Sequence, residues 1–216
     1  MKKGLTELVF ILDKSGSMSG LEKDTIGGFA SMLNKQKALE GECRITTVLF
    51  NNNYELLHDR VDIAAVNPIT EKEYQVGGNT ALLDAIGITV NKIDNVQKNT
   101  SEDHRAEKVV FIIITDGEEN SSKEYTADKV KAQIERQKSE YGWEFIFLGA
   151  NIDAVITASR FGIPTDRALD YIADKEGTAI NFKVLSNIVG SVRRNKVIKS
   201  SQFEEIRKYK EKHRKI

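Results

Sequence analysis

Cysteine, proline and long apolar runs are all scarce in this chain of 216 residues. Cys43 is the only cysteine, so no intramolecular disulfide can form, and the disulfide framework of small secreted domains is excluded. Two prolines are too few for long proline-rich linkers. No segment approaches the roughly 20 apolar residues that a membrane-spanning helix needs. We therefore expect a cytoplasmic protein with no membrane span.

Motifs for phosphate binding and for zinc binding are absent as well. The chain contains neither Gly-x-Gly-x-x-Gly nor a loop with Gly-Lys-Ser/Thr. His58, His104 and His213 lie in polar stretches, and none has a Cys or His partner at ligand spacing. These absences disfavour a nucleotide-binding protein and a zinc protein.

The charge is balanced overall but unevenly placed. Formal net charge is zero, yet residues 193–216 carry ten Lys/Arg against three Glu. We divide the chain into a domain at 1–195 and a charged basic C-terminal helix or tail at 196–216. A solvated terminal helix is the simpler interpretation. The tail could also contact the acidic body of its own domain, another acidic surface, or nucleic acid, with Tyr209 among its lysines.

Apolar runs alternate with helical patterns from residue 8 onward, and this alternation indicates the fold class. We predict strands over 8–12, 44–50, 54–61, 108–115, 143–148 and 168–172, and helices over 21–39, 80–96, 153–161 and 178–192. Ser19 is a plausible N-cap for the first helix, and Ser121 and Glu124 have the spacing of a capping box before a helix ending near 141. The pattern predicts an α/β fold with a doubly wound, mainly parallel sheet. The Asn turn at 51–53 adds one antiparallel edge strand.

Oxygen-bearing side chains follow the two most apolar strands. Asp13, Ser15 and Ser17 come directly after the first strand, Asp116 follows the strand at 108–115, and Thr80 begins a helix. The carboxyl ends of parallel strands share one edge of a sheet, where ligands bind. Two carboxylates so placed repel each other unless a cation lies near them, and such oxygens suit Mg²⁺, Mn²⁺ or Ca²⁺.

Each of these residues also has a purely structural interpretation. Asp13 and Thr80 could be helix N-caps, and Asp116-Gly117 could be a turn. Their joint occurrence favours a metal site. We expect support from Gly16, Gly77, Gly78, Asn79 and Gly117, with the glycines leaving room for the loops to approach the ion.

The three pieces together resemble a known family. Asp-x-Ser-x-Ser at 13–17, Gly-Gly-Asn-Thr at 77–80 and Ile-Thr-Asp-Gly at 114–117 are similar to the metal-ion-dependent adhesion site of von Willebrand factor A-type domains. The resemblance covers roughly residues 5–190. It implies a Rossmann-like sheet. The absence of disulfides points to the small stand-alone bacterial or phage-type members of the family. The resemblance also implies that Ser15, Ser17 and Thr80 bind Mg²⁺ through hydroxyls, while Asp13 and Asp116 hold it largely through water.

Three functions follow from these observations. The first is a non-enzymatic module in which the open coordination position of Mg²⁺ takes an Asp or Glu carboxylate from a partner protein. The second is a Mg²⁺-dependent phosphoryl-transfer or phosphatase-like enzyme with Asp13 as nucleophile. Ser15 stands where a dehalogenase-like enzyme has a second Asp, which argues against it. The third is nucleic-acid binding through Lys208, Lys210, Lys212, Arg214 and Lys215, for which one interleaved tyrosine is weak support.

Overall fold

A six-stranded sheet forms the centre of the structure, a computed structural model that describes residues 1–213. The strands are β1 (Lys2–Asp13), β2 (Cys43–Phe50), β3 (Tyr54–Asp62), β4 (Ala106–Thr115), β5 (Glu144–Gly149) and β6 (Ala168–Asp170). Their order is β3-β2-β1-β4-β5-β6, and only the β2–β3 pair is antiparallel. The predicted fold class, a mainly parallel sheet with one antiparallel edge strand, is confirmed.

Six α-helices cover the two faces of the sheet. They are α1 (Glu22–Lys37), α2 (Leu82–Asn99), α3 (Ala127–Tyr141), α4 (Ala154–Arg160), α5 (Lys175–Arg193) and α6 (Glu204–His213). Helices α1, α5 and α6 pack on one face, and α2, α3 and α4 pack on the other. No helix in residues 1–213 is long and apolar enough to cross a bilayer.

The central strand β1 shows why both faces are covered. Leu8, Phe10 and Leu12 belong to the hydrophobic cluster under α1 and α5, while Val9 and Ile11 belong to the cluster under α2 and α3. All five side chains are at most 1% exposed. Successive side chains of a strand point to opposite faces, so a continuous apolar run needs helices on both.

The helix that follows the second aspartate begins later than predicted. The expected capping box at Ser121 and Glu124 is wrong, because α3 begins at Ala127 and Thr126 is its N-cap, accepting the backbone N–H of Lys129. The carboxylate of Asp84 accepts the backbone N–H groups of 123–125 instead. These hydrogen bonds hold the segment as a loop, because the N–H groups are satisfied outside a helix.

One other predicted cap is displaced, and the alternative interpretation of Thr80 as a helix N-cap is wrong. The N-cap of α1 is Leu21, without a side-chain cap hydrogen bond, so the prediction of Ser19 is wrong. The N-cap of α2 is Ala81, and Thr80 precedes it. The hydroxyl of Thr80 is therefore not used as the cap of this helix.

The C-terminal helix packs against the body of the protein. Phe203 and Ile206 are 0% and 2% exposed and join the cluster beneath α5. Lys210 Nζ lies 2.6 Å from Asp170 Oδ2, at the end of β6. Basic side chains of this segment thus contact acidic groups of the domain. The division of the chain at residue 195 stays a prediction.

Candidate metal centre

The loop after β1 is tied to the neighbouring strand through Asp13. Its Oδ1 accepts the backbone N–H of Ser15 at 2.6 Å, and its Oδ2 accepts the hydroxyl of Thr115 at 2.7 Å. Strands β1 and β4 are adjacent, with Leu12 opposite Ile114, so their carboxyl ends lie side by side. The predicted neighbourhood of Asp13 and Asp116 at one edge of the sheet follows from this register.

Three hydroxyl oxygens surround a single point beside Gly117. A Cβ added to Gly117 would lie 2.9 Å from Ser17 Oγ, 3.0 Å from Thr80 Oγ1 and 3.8 Å from Ser15 Oγ. The Oγ atoms of Ser15 and Ser17 are themselves 3.0 Å apart. Glycine leaves this space open, whereas any side chain at position 117 would enter it. The structure thus brings together the hydroxyls of two loops more than 60 positions apart.

The two carboxylates of the site are buried, and the described part of the chain gives them no cationic partner. Asp13 is 0% exposed and Asp116 is 3% exposed. Burial raises the pKa of Asp13, and burial raises the pKa of Asp116 to about 6, with the negative charge of Asp13 adding to the increase. Within residues 1–213, neither carboxylate forms an ion pair with Lys, Arg or His; the nearby Lys14 pairs with Glu55. Two such acids lack a compensating positive charge.

The glycine-rich segment before Thr80 is bound to the loop after β1. The N–H of Gly16 donates to the carbonyl of Gly78 at 2.9 Å, and the N–H of Gly77 donates to the carbonyl of Lys14 at 2.9 Å. Gly78 has φ +79°, and a Cβ there would collide with the Asn52 side chain. Positive φ and close approach both require glycine. The backbone positions of Gly16, Gly77 and Gly78 therefore hold the two loops together.

Asparagine side chains orient the rest of this segment. Asn52 Oδ1 accepts the N–H of Asn79 at 2.8 Å, and Asn120 Oδ1 accepts the N–H of Thr80 at 2.9 Å. The amide of Asn151 donates to Asp116 Oδ1. Thr80 is therefore positioned by the loop that also carries Asp116.

Sequence reasoning missed several of these supporting residues. The turn at 51–53 was interpreted only as a hairpin turn, although Asn51 donates to the carbonyl of Gly77 at 2.8 Å. Thr115, Asn151 and Tyr74, whose hydroxyl donates to the carbonyl of Asp13, were not singled out. Thr115 and Asn151 follow apolar runs, a signal that occurs at many loops, whereas Tyr74 lies in a polar stretch with no such signal.

The donor set fits a hard divalent cation. The five predicted ligand residues supply two carboxylates and three hydroxyls. Residues 1–213 contain no cluster of three or more His, Cys, Asp or Glu that could hold a metal ion. Mg²⁺, Mn²⁺ and Ca²⁺ prefer such oxygens, whereas zinc and copper prefer nitrogen and sulfur. Ser15 and Thr80 are buried, whereas Ser17 and the adjoining Gly16 and Asn79 are exposed, so solvent reaches the site at Ser17.

Comparison with known proteins identifies the fold. A family model described as von Willebrand factor type A domain matches residues 7–192. The comparison with curated proteins gives no match.

Solved structures agree with this family match in their fold. A von Willebrand factor type A protein from Catenulispora acidiphila matches with a TM-score of 0.55 at 15% identity, over 86% of this chain and 42% of that one. Proximal thread matrix protein 1 from the mussel byssus, with a zinc-occupied MIDAS motif, matches with a TM-score of 0.59 at 13% identity, over 87% and 46%. The D319A mutant of the PilB minor pilin from Streptococcus sanguinis matches with a TM-score of 0.56 at 10% identity, over 87% of this chain and 62% of that one. The chain spans less than two thirds of each of these proteins.

Proposed function

The chain belongs to the von Willebrand factor type A domain family, and we propose that it is a Mg²⁺-dependent protein-interaction module. Domains of this family are commonly protein-interaction modules. The proposed partner is a protein that offers an Asp or Glu carboxylate. Mn²⁺ or Ca²⁺ could replace Mg²⁺, because the donor oxygens suit all three ions.

One observation carries the proposal: three hydroxyls lie within 4 Å of the Cβ position of Gly117, next to Asp116, and within residues 1–213 the buried carboxylates of Asp13 and Asp116 form no ion pair. Ser17 Oγ and Thr80 Oγ1 lie 2.9 and 3.0 Å from the Cβ position of Gly117. A cation there would neutralise Asp13 and Asp116, whose burial without a counter-charge is otherwise unfavourable. The zinc-occupied motif in the mussel protein supports a divalent ion in a domain of this fold.

The residues of the chain have distinct roles in this proposal. Ser15, Ser17 and Thr80 would contact the ion, and Asp13 and Asp116 would balance its charge, largely through water. When bound, the ion supplies a Lewis-acidic position to which a carboxylate oxygen of the partner can bind. The backbone hydrogen bond from Gly16 to Gly78 holds together the two loops that would supply these hydroxyls.

The alternative, phosphoryl transfer by Asp13, gains no support from the geometry. Asp13 is fully buried, and each carboxylate oxygen already accepts a hydrogen bond, from the N–H of Ser15 and the hydroxyl of Thr115. A nucleophilic carboxylate needs an oxygen that faces its substrate. These contacts favour a structural and electrostatic role for Asp13.

Nucleic-acid binding by the C-terminal helix is also not favoured. The hydroxyl of Tyr209 lies 2.9 Å from Asp174 Oδ2, and Lys210 contacts Asp170. Lys208 and Lys212 are exposed, while Arg214 and Lys215 lie outside the described residues. Two side chains of the expected basic surface are therefore engaged within the domain. The cytoplasmic location stays a prediction.

A pull-down experiment tests the proposed function. The full chain is immobilised, and retained proteins are compared in Mg²⁺ and in EDTA, with Asp13→Ala and Asp116→Asn beside the wild type. We expect retention in Mg²⁺ but not in EDTA, by the wild type and the Asp128→Asn control but not by the two site variants. Asp128→Asn is the matched control, because Asp128 is exposed on α3. Retention that is equal in EDTA, or equal for Asp116→Asn when circular dichroism shows an intact fold, would contradict the proposal.

A further inference from the structure

A groove leads from the metal centre along helices α1 and α5. Two hollows of about 650 and 350 Å³ share Lys23, Asp24 and Lys175, and we refer to them together as the α1–α5 groove. The larger hollow is lined by Gly20 and Val76, which lie in the two chain segments that carry Ser17 and Thr80. A chain bound at the metal centre can therefore continue into this groove.

The half of the groove remote from the metal is positively charged. Lys23, Lys35, Lys175 and Lys183 line it, with Asp24 as the single acid. Within residues 1–213, Lys23, Lys35 and Lys175 form no ion pair, whereas Lys183 pairs with Glu205 at 2.6 Å. The formal net charge of the whole chain is zero, so this local excess is not a general property of its surface. Four lysines against one aspartate are complementary to an acidic segment.

The floor of the same half contains a glycine that the chain itself does not require. Gly27 lies exposed inside α1, and a Cβ added there would meet nothing within 4 Å. The neighbouring Gly28 differs, because a Cβ there would overlap the ring of Phe182. Glycine is among the least favourable residues inside a helix, so its presence at 27 has no intramolecular explanation. It leaves the helix backbone bare, so another chain can approach closely.

The half of the groove near the metal has a different character. Ile26 and Val76 provide apolar surface there, and Glu22 and Glu71 add negative charge. Lys23 and Lys175 are shared with the basic half, so the half near the metal combines apolar surface with charges of both signs. The groove therefore changes along its length from apolar with mixed charge to predominantly basic.

We propose that the α1–α5 groove binds the continuation of the partner segment whose carboxylate reaches the metal centre. The segment carries the metal-binding acid, then apolar residues over Ile26 and Val76, then a cluster of Asp or Glu over Lys35 and Lys175. A small or extended stretch passes over Gly27. This inference rests on the proposed function, because the first acid is the one that binds at the metal.

A selection experiment tests this pattern. A random linear peptide library displayed on phage is selected against the Mg²⁺-loaded full chain, and enriched peptides are synthesised for fluorescence anisotropy. Each peptide is titrated with the wild type, with the double variant Lys35→Glu/Lys175→Glu and with Gly27→Leu. Lys129→Glu/Lys131→Glu on α3 is the control, because it makes the same change in net charge on the other face of the sheet.

We expect enriched peptides to carry a lone acid, an apolar stretch and an acidic cluster. The groove double variant weakens their binding by about tenfold or more, while the α3 control changes it by no more than about twofold. Gly27→Leu weakens binding without lowering the melting temperature, since a Cβ at position 27 has nothing within 4 Å and leucine is a better helix former than glycine.

Two outcomes would overturn the inference and are distinguishable. Peptides that are released by EDTA but bind both groove variants like the wild type would refute the groove and leave the metal-dependent interaction standing. Peptides that fail to bind the groove variants, but whose binding is unaffected by EDTA and by Asp116→Asn, would refute the proposed function. They would also refute the proposal that one partner segment binds both the metal centre and the groove.

Discussion

At the scale of single residues, the candidate site depends on which atoms are missing as much as on which are present. Gly117 has no side chain, so the hydroxyls of Ser17 and Thr80 can face a common point within about 3 Å of its Cβ position. Asp13 and Asp116 have no cationic neighbour in the described residues, so burial raises the pKa of both. The proposed divalent cation would lie near both groups and would neutralise the two carboxylates.

The hydroxyl of Thr80 provides the most selective test of the site. Thr80→Val removes that oxygen and keeps the branched shape, so we expect Mg²⁺ affinity to fall by about tenfold or more, by analogy with losses at other metal sites. Isothermal titration measures the affinity. Thr165→Val, at an exposed position before β6, is the control and should bind Mg²⁺ like the wild type. Equal affinities for wild type and Thr80→Val would exclude Thr80 as a ligand.

At the scale of elements, helices α1 and α5 are held in close contact by a glycine. Gly28 faces Phe182, which is 3% exposed, and the two helices form one layer over the sheet. The absence of a Cβ at 28 is what allows the ring to lie against the α1 backbone. The adjacent Gly27 faces open space, so a substitution there serves as the control for the same substitution at Gly28.

Alanine substitutions at these two glycines should have opposite effects on stability. Gly28→Ala forces the Phe182 ring or the helix to move, and we expect the free energy of unfolding to fall by about 1–3 kcal/mol. Gly27→Ala adds a better helix former in open space, and we expect an increase of up to about 1 kcal/mol. Urea denaturation measures both. If Gly27→Ala lowered the free energy of unfolding as much as Gly28→Ala, the contact between Gly28 and Phe182 would not be the cause of the destabilisation.

At the scale of the whole molecule, the C-terminal segment is part of the packed structure. Ile198, Phe203 and Ile206 are each at most 4% exposed, and Lys210 reaches Asp170 at the end of the edge strand β6. Helix α6 therefore covers apolar surface of α5 beside a strand of only three residues. Short or covered edge strands protect a sheet from pairing with other chains.

Truncation after Asn195 tests this packing. Removing 196–216 exposes the partners of three buried apolar side chains, each of which contributes about 1.5–3 kcal/mol on burial. We expect the free energy of unfolding to fall by at least about 3 kcal/mol, measured by urea denaturation. The full-length double variant Lys208→Ala/Lys212→Ala separates charge from packing and should unfold like the wild type. An unchanged transition after truncation would mean that α6 adds nothing to stability.

Metal binding should also stabilise the whole fold. A ligand that binds only the native state at about 100 times its Kd adds about 2.7 kcal/mol to the free energy of unfolding. We therefore expect Mg²⁺ to raise the melting temperature of the wild type and EDTA to reverse the increase, measured by calorimetry. Asp116→Asn should show no such dependence. If Mg²⁺ raised the melting temperature of Asp116→Asn by the same amount, the ion would bind at a different site.

The sequence by itself determined the sheet, because β1 and β4 are continuous apolar runs that only a doubly covered strand can bury. It also placed Asp13 and Asp116 at the ends of those strands, since each continuous apolar run stops at the aspartate. Two caps and the start of α3 were wrong, because they depend on long-range hydrogen bonds such as those of Asp84 with 123–125.

Only the tertiary structure decided the details of the site. The bond from Thr115 to Asp13, the amide of Asn151 on Asp116 and the open space at Gly117 join loops that are distant in sequence. Hydrophobic periodicity is a local signal, whereas these contacts depend on how the loops meet at the sheet edge. For the same reason, the α1–α5 groove could not be read from the spacing of its lysines.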